Sequence, residues 1–385
     1  MEHVIIIGGG IGGAIAHDLT LRGFRVTLLE KGELLSGSTG RHHGLLHSGA
    51  RYALHDVETA HECMVENRIL RRIAPQGLEQ NDGLFVAVDE EDMSYREAFL
   101  ENCAAAGIPT EDIELAQARL MEPNLSPRIT STIKVPDATM DAWRLAMHFF
   151  TTAKFHGADI RPYSEVLHTL VQGGKAQGVR VLDHRSQGEY TLFADIVINA
   201  AGPWAGIVAQ QIGIRIPVKP APGVMVSLDA RLTNMIINRL QPAGEGDIII
   251  PQRNLSLLGT SVWLADDPEP LDIPRSHVRR MVTLCSQLVP KVSETPIHAA
   301  WSAARPLVVQ DPAEESTKIT RSFECMDHES RDGVAEFISV FGGKATTMRA
   351  MAEKAADLVC KKTGRSASCR TRETKLMHWR QFYNN

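Results

Sequence analysis

Three stretches predict an α/β protein built as two interleaved lobes, one a parallel sheet wrapped by helices and the other an antiparallel sheet. They are residues 3–30, 195–204 and 337–349, and each holds a short apolar run leading into glycine and then a helical pattern. In the first, Val4 to Ile7 is continuously apolar, as a parallel strand buried on both faces requires, whereas Ile11, Ile15 and Leu19 recur at helical spacing. Between them stands Gly8-Gly9-Gly10-Ile11-Gly12-Gly13. Gly8 allows the tight turn, Gly10 lets backbone approach a pyrophosphate, and Gly13 lets the helix pack on the strand, while the helix N-terminus offers unpaired N–H groups. Glu30, seventeen residues after Gly13, ends the second strand, where its carboxylate can accept from a ribose diol. The unit reads as a Rossmann-like dinucleotide site; the plainer alternative is a glycine-rich turn without a ligand.

Composition narrows the class. The chain has 385 residues, 43% apolar and 23% charged, with a net charge of −5. That fits a globular protein with more than one lobe and gives no support for nucleic-acid binding or disorder. The six cysteines (63, 103, 285, 325, 360 and 369) follow no metal-ligand or redox spacing, so reduced thiols and no metal are expected. The first strand starts at residue 3, so no leader is expected, and no run reaches the roughly 18 apolar residues of a membrane span. A cytoplasmic location is expected.

Residues 36–52 are too rich in glycine and small polar side chains for a regular element. A nicotinamide domain would resume its helix within a few residues of the acid. The long loop instead supplies backbone amides and small residues to lie against a flat ring system, so FAD is expected rather than NAD, with Lys31, Ser38, Thr39, Gly40, His43, Gly44 and Leu45 among the contacts. An unliganded Ω-loop is the alternative. Helices are expected over residues 57–73, 92–106, 115–121, 141–156 and 276–288, and strands over 83–88, 157–161, 224–228, 247–250, 255–260 and 297–303. Residues 165–170, 178–182 and 190–193 read as an antiparallel meander. In Asn199-Ala-Ala-Gly-Pro-Trp204 the turn would bring Ala200, Ala201, Gly202 and Trp204 to the dinucleotide from the other side. In Phe341-Gly-Gly-Lys-Ala-Thr-Thr-Met-Arg349 a second helix N-terminus becomes available for the flavin end, with Gly342, Gly343, Lys344, Ala345 and Thr346. The expected FAD domain is discontinuous, 1–80, 137–215 and 332–365, with a substrate domain of 81–136 and 216–331 and a tail of 366–385.

These segments, with Gly40-Arg-His-His-Gly-Leu-Leu-His-Ser-Gly-Ala-Arg-Tyr52, Leu258-Gly-Thr-Ser261 and Ala304-Arg-Pro-Leu307, resemble the D-amino-acid-oxidase-like family of FAD enzymes. Within it they are most similar to the large flavoprotein subunits of anaerobic glycerol-3-phosphate dehydrogenases, over about residues 3–360. The resemblance implies FAD, hydride transfer from a secondary alcohol, and electrons passed to a quinone through partner subunits. Such subunits usually continue into a cysteine-rich C-terminal domain, whereas this sequence ends at Asn385. Pro222-Gly223 stands where a lysine-glycine pair is expected, and Val262 near the place of an acid in related single-subunit enzymes.

Oxidising a carbinol needs a base and a fixed geometry near the flavin. His47 is the candidate base, an imidazole in the flavin-side loop; alternatively His42, His43 and His47 merely bond loop backbone. Lys344 is expected to stabilise negative charge on the reduced flavin or to contact the substrate hydroxyl. The resemblance brings Arg51, Tyr52, Arg305 and Arg349 to the same site, and guanidinium forks suit an anionic substrate. The leading reading is an FAD dehydrogenase of sn-glycerol 3-phosphate. Its rivals are a 2-hydroxy-acid or amino-acid dehydrogenase or oxidase, and a non-catalytic FAD scaffold in an electron-transfer complex. The tail interleaves Arg370, Arg372, Lys375 and Arg380 with Leu376, Met377, Trp379, Phe382 and Tyr383. That mixture suggests docking on an electron-accepting partner or the inner membrane face, and the alternative is packing on its own lobe.

Overall fold

The strand His3–Ile7 lies inside a six-stranded sheet because both its faces meet apolar layers. In the computed structural model, which describes residues 1–244, 246–269, 271–309 and 322–384, the order is Phe323–Asp327, Phe337–Gly342, Ile196–Asn199, His3–Ile7, Arg25–Leu29, Asp159–Arg161. The last five run parallel, and Phe323–Asp327 adds an antiparallel edge. Val4 and Ile6 cluster with Ile15 and Leu19 of the helix Gly12–Leu21 and with the helices Ala142–Phe155 and Met348–Thr363. Ile5 and Ile7 meet Val166, Val179 and Val181 of a three-stranded meander, Ser164–Gln172, Lys175–Asp183 and Gly188–Phe193. Cover on both sides is why this strand is apolar throughout instead of alternating.

The second sheet has eight strands, ordered Ile297–Val308, Val218–Leu228, Leu255–Gly259, Ile248–Gln252, Ile236–Arg239, Gly83–Ala87, Ser131–Val135, Glu111–Asp112. Its side chains alternate by face. Leu84, Val86 and Ile249 pack with Met281, Cys285 and Leu288 of the helix Arg275–Leu288, whereas Ile248, Ile250 and Leu257 turn with Leu45 toward the first lobe. A small sheet of Leu45–Leu46, Ala138–Met140 and Leu78–Glu79 joins the lobes.

Several elements differ from expectation. The helix expected over 92–106 is two, Glu90–Ser94 and Arg96–Ala105, and the first starts earlier than expected because Asp89 caps it and the buried Asp92 carboxylate accepts from Val88 N–H and Arg239. The strands Ser131–Val135, Ile236–Arg239 and Phe323–Asp327 were not expected. The last belongs to the first sheet, although it falls in the stretch assigned to the substrate domain. Residues 310–321 and Asn385, assigned to that domain and to the tail, lie outside the described residues.

The tail packs back on its own lobe, contrary to the docking expectation. Leu376 is buried, and its N–H donates to Ile73 O at 2.8 Å. The rings of Trp379 and Trp143 meet edge to face at 5.3 Å, and Lys154 Nζ lies 4.7 Å from the Phe382 ring. His148 Nδ1 accepts from Trp379 N–H at 3.0 Å. Of the aromatics meant for a partner or membrane, Tyr383 is the one strongly exposed, at 63%.

Candidate active site

The two glycine turns at residues 8–10 and 200–202 meet backbone to backbone at the mouth of the parallel sheet. Gly8 has φ +107°, and a Cβ there would stand 2.6 Å from the Ala200 carbonyl oxygen. No residue with a side chain fits this approach. Glu30 Oε2 accepts from Gly9 N–H at 2.7 Å and Oε1 from Gly32 N–H at 3.0 Å, so the carboxylate is held at the turn with a lone pair left on each oxygen. Lys31 Nζ lies 5.2 Å from the Trp204 ring. A Cβ on Gly10 would touch Thr39 Oγ1, while one on Gly12 would meet Ile6 and Leu28 and one on Gly13 would meet Phe150. The close helix-to-strand approach expected of Gly13 therefore belongs to Gly12, and Gly13 accommodates a neighbouring helix.

From these turns a cavity of about 860 Å³ runs to the eight-stranded sheet, which is mixed and not, as expected, wholly antiparallel, since Ile236–Arg239 and Gly83–Ala87 pair in parallel. Gly8, Gly10, Ile11, Glu30 and Lys31 line it together with Ala200, Ala201, Gly202 and Trp204. Ser38, Thr39, His43, Leu45, His47, Arg51 and Tyr52 form the loop wall, and Arg305, Gly342, Gly343, Lys344 and Ala345 the remainder. Gly12, Gly13, Gly40, Gly44, Thr346 and Arg349 do not line it. Gly40 and Gly44 pack on the carbonyls of Leu35 and Met140 instead. The wall also takes in Ser164, Glu165 and Val166, which sequence reasoning missed. Ser164 N–H donates to Glu30 O at 2.7 Å, because the strand before it pairs in parallel with Arg25–Leu29. That pairing was the only signal for them, and it is a tertiary one.

The cavity fits a long pyrophosphate-linked ligand. Its volume is toward the upper end of the roughly 300–1,000 Å³ of small-molecule sites. Neither the helix starting at Gly12 nor that starting at Met348 carries an acid in its first turn, so both N-termini stay favourable to anionic groups. FAD would take its ribose at Glu30, its pyrophosphate at the glycine turns, and its ring against the loop at residues 38–47.

At the ring end the Tyr52 ring lies 5.2 Å from that of His47 and 5.1 Å from Lys344 Nζ. His42 Nδ1 accepts from Gly44 N–H at 2.9 Å and His43 Nδ1 from Leu45 N–H at 3.2 Å, so for these two the backbone-bonding alternative is the one observed. Burial pulls the His42 pKa down to about 4, and burial reinforced by His47, His42, Arg305 and Arg51 pulls that of His43 well below its ordinary value. Both are neutral at pH 7.

Arg51 lines the cavity but already has an anion: Nη2 pairs with the buried Asp247 and donates to Gly244 O at 2.9 Å. Burial alone would raise the Asp247 pKa, yet Arg51 and Gln241 hold it below its ordinary value. Arg305 donates to Thr260 Oγ1 and to Ser261 O at 3.4 Å. A Cβ on Gly223 would stand 2.2 Å from Ser261 O and 2.8 Å from Arg305 Nη1. The glycine of Pro222-Gly223 thus has a packing reason, since it admits the guanidinium.

Arg349, expected at the substrate, lies outside the cavity wall. It is 1% exposed and bonds Glu66 through Nε at 2.8 Å and Nη2 at 2.6 Å, with Glu353 Oε2 at 2.8 Å from Nη1. Burial opposes its charge, but the two carboxylates outweigh this and raise its pKa. Thr346 also faces inward, and its Oγ1 accepts His47 N–H at 3.1 Å.

The profile of the family described as FAD dependent oxidoreductase matches residues 3–358. The chain is 42% identical to an anaerobic glycerol-3-phosphate dehydrogenase subunit of Haloferax volcanii, over 97% of this chain and 66% of that one. It is 41% identical to the corresponding subunit of the Escherichia coli K12 enzyme, over 97% and 69%. The chain thus spans about two thirds of the length of these relatives. Among solved structures, the glycerol-3-phosphate dehydrogenase of Bacillus halodurans complexed with FAD superposes with a TM-score of 0.75 at 22% identity, covering 98% of this chain and 68% of that one. The reduced, FAD-bound L-α-glycerophosphate oxidase of Mycoplasma pneumoniae gives 0.76 at 17%, covering 98% and 100%. By the family match and the identity to these relatives, the chain belongs to the FAD-dependent oxidoreductases.

Proposed function

We propose that the chain oxidises the secondary alcohol of sn-glycerol 3-phosphate to dihydroxyacetone phosphate. The observation that carries this reading is the grouping of Arg51, Arg305 and Lys344 with His47 and Tyr52 in one cavity wall. Its support from outside is the identity to subunits named as glycerol-3-phosphate dehydrogenases. Bound FAD supplies the hydride acceptor. The protein's part is to bind, orient and deprotonate. A phosphate suits guanidinium forks, so Arg305 anchors it, with Arg51 as a second, partly neutralised cation. His47 takes the hydroxyl proton, whereas His42 and His43 each have Nδ1 engaged by a backbone N–H. Lys344 stabilises the negative charge that develops beside it, in a wall where Tyr52 spaces it from His47.

We assign the electrons' exit to a quinone or a partner protein. We also propose a cytoplasmic location, with peripheral attachment at the inner membrane face as the variant of that reading. Among the described residues no helix is long and apolar enough to cross a membrane. The test is anaerobic bleaching of the FAD-loaded protein with polyol phosphates, 2-hydroxy acids and amino acids. Bleaching by sn-glycerol 3-phosphate is the expected result. Bleaching by a hydroxy acid or amino acid alone transfers the cations to a carboxylate substrate, and bound FAD with no bleaching leaves the scaffold reading.

A further inference from the structure

The helix Val57–Ile73 carries two adjacent buried polar side chains that stay out of the cavity wall, Glu66 at 2% exposure and Asn67 at 0%. Asn67 Nδ2 donates to His47 O at 3.1 Å and to Pro136 O at 3.2 Å, with Leu46 O at 3.4 Å. Its Oδ1 accepts from Arg71 Nε at 2.8 Å, and Arg71 Nη2 donates to Pro136 O at 3.0 Å and Asp137 O at 2.8 Å. Asp137 Oδ1 in turn accepts from Ser48 N–H at 2.6 Å. The backbone is therefore gripped at Leu46 O, His47 O and Ser48 N–H in succession, while His47 N–H donates to Thr346 Oγ1.

Glu66 points about 100° away around the helix and grips a different segment. Its two oxygens take the fork of Arg349, three residues beyond Thr346 and five beyond Lys344. One helix turn thus ties down both the loop that carries His47 and the turn that carries Lys344. A buried ion pair adds little net stability over an apolar substitute, but it fixes geometry, since only one arrangement satisfies both forks.

We propose that Glu66 and Asn67 are positioning residues that lock His47 and Lys344 into one reacting geometry. This rests on the reading of those two residues given above.

The test is anaerobic stopped-flow reduction of the FAD-loaded full chain by sn-glycerol 3-phosphate, comparing wild type with Asn67→Ala and Glu66→Gln. Misplacing a reacting group by about 1 Å costs up to about 100-fold, so Asn67→Ala should lower the limiting bleaching rate about 10- to 100-fold while half-saturation moves less than about twofold. Glu66→Gln keeps an acceptor for Arg349 but loses the charge, and should show the same split with a loss of about three- to tenfold. A limiting rate within about twofold of wild type in a variant with full flavin overturns the proposal, as does a loss expressed wholly in half-saturation. If Asn67→Ala does not fold, Glu66→Gln decides by the same readings. If wild type itself is bleached by no polyol phosphate, the functional reading fails separately. Hydrogen exchange then decides the clamp: at least tenfold faster exchange in the peptide spanning residues 43–52 of Asn67→Ala, or in that spanning residues 342–350 of Glu66→Gln, upholds it, and unchanged exchange in both overturns it.

Discussion

Asp137→Asn should make the FAD-loaded protein more stable at pH 8 and progressively less so toward acid. The Asp137 side chain is 2% exposed and its Oδ1 accepts the Ser48 N–H. Burial raises its pKa from 3.8 to about 6, and hydrogen bonds from Ser48 with the charges of Arg71 and Arg51 offset this only in part. The sign follows from which state holds the proton. Between pH 4 and 6 the unfolded chain ionises first, so stability falls as pH rises through this window and the full penalty persists above it. A gap of about two units corresponds to about 3 kcal/mol, and about half of that remains at pH 5. The amide keeps an acceptor for Ser48; Asn238 Nδ2 donates to Asp137 Oδ2 at 3.5 Å, and a turn of the Asn238 amide presents to the new N–H₂ its Oδ1, which is buried with no hydrogen-bond partner among the described residues. At about 2.1 cal/mol/K per residue, a chain of 385 residues gains about 4 °C in thermal midpoint at pH 8 and about 2 °C at pH 5. Scanning calorimetry of holo-protein at matched FAD measures both. A lower midpoint at pH 8, or a shift that does not depend on pH, refutes the reasoning.

Glu30→Ala should strip flavin on dialysis, because two charge-assisted bonds of about 1.5–3 kcal/mol each that hold the glycine turn are lost along with the ribose acceptor; stoichiometric FAD after dialysis would place the ribose contact elsewhere. Arg305→Lys should raise KM at least about tenfold with kcat changed less than about threefold, since an anchor remote from the reacting carbon contributes mainly uniform binding, and steady-state dye reduction measures the split. An unchanged KM removes Arg305 from the anion site. Truncation after Lys375 should lower the thermal midpoint by several degrees while leaving the flavin spectrum intact, as Leu376, Trp379 and Phe382 leave the first core; a truncated chain that melts with wild type contradicts the packing.

The parts of the fold that were legible in the sequence are those where one face, or both, is buried by neighbours close in the pattern. The strand His3–Ile7 announced burial on two sides, and the helix Val57–Ile73 announced its length, because periodicity records burial directly. Ile236–Arg239 and Phe323–Asp327 gave no such record. The first is four residues long and pairs with Gly83–Ala87, about 150 positions away, and the second is an edge strand whose residues are only half-buried. A strand that short has no period to read, and what fixes it is a partner the sequence does not place beside it.

The arginines of the site separate on the same principle. Arg51, Arg305 and Arg349 look alike in the sequence as cations in three separate loop or turn segments. What divides them is the second charge. Arg349 has Glu353 four residues on, at a spacing where opposite charges on a helix meet, and this was a visible sign that its guanidinium faced along the helix instead of toward a ligand. Glu66, its stronger partner, comes from a helix 283 positions earlier and left no sign. Asp247, which neutralises part of Arg51, is likewise supplied from the other lobe. A cation's role depends on whether folding brings it a carboxylate before a substrate arrives. In the reading proposed here Arg349 serves the geometry of His47 and Lys344 from behind the cavity wall, and Arg305, which lines the cavity, anchors the anionic substrate.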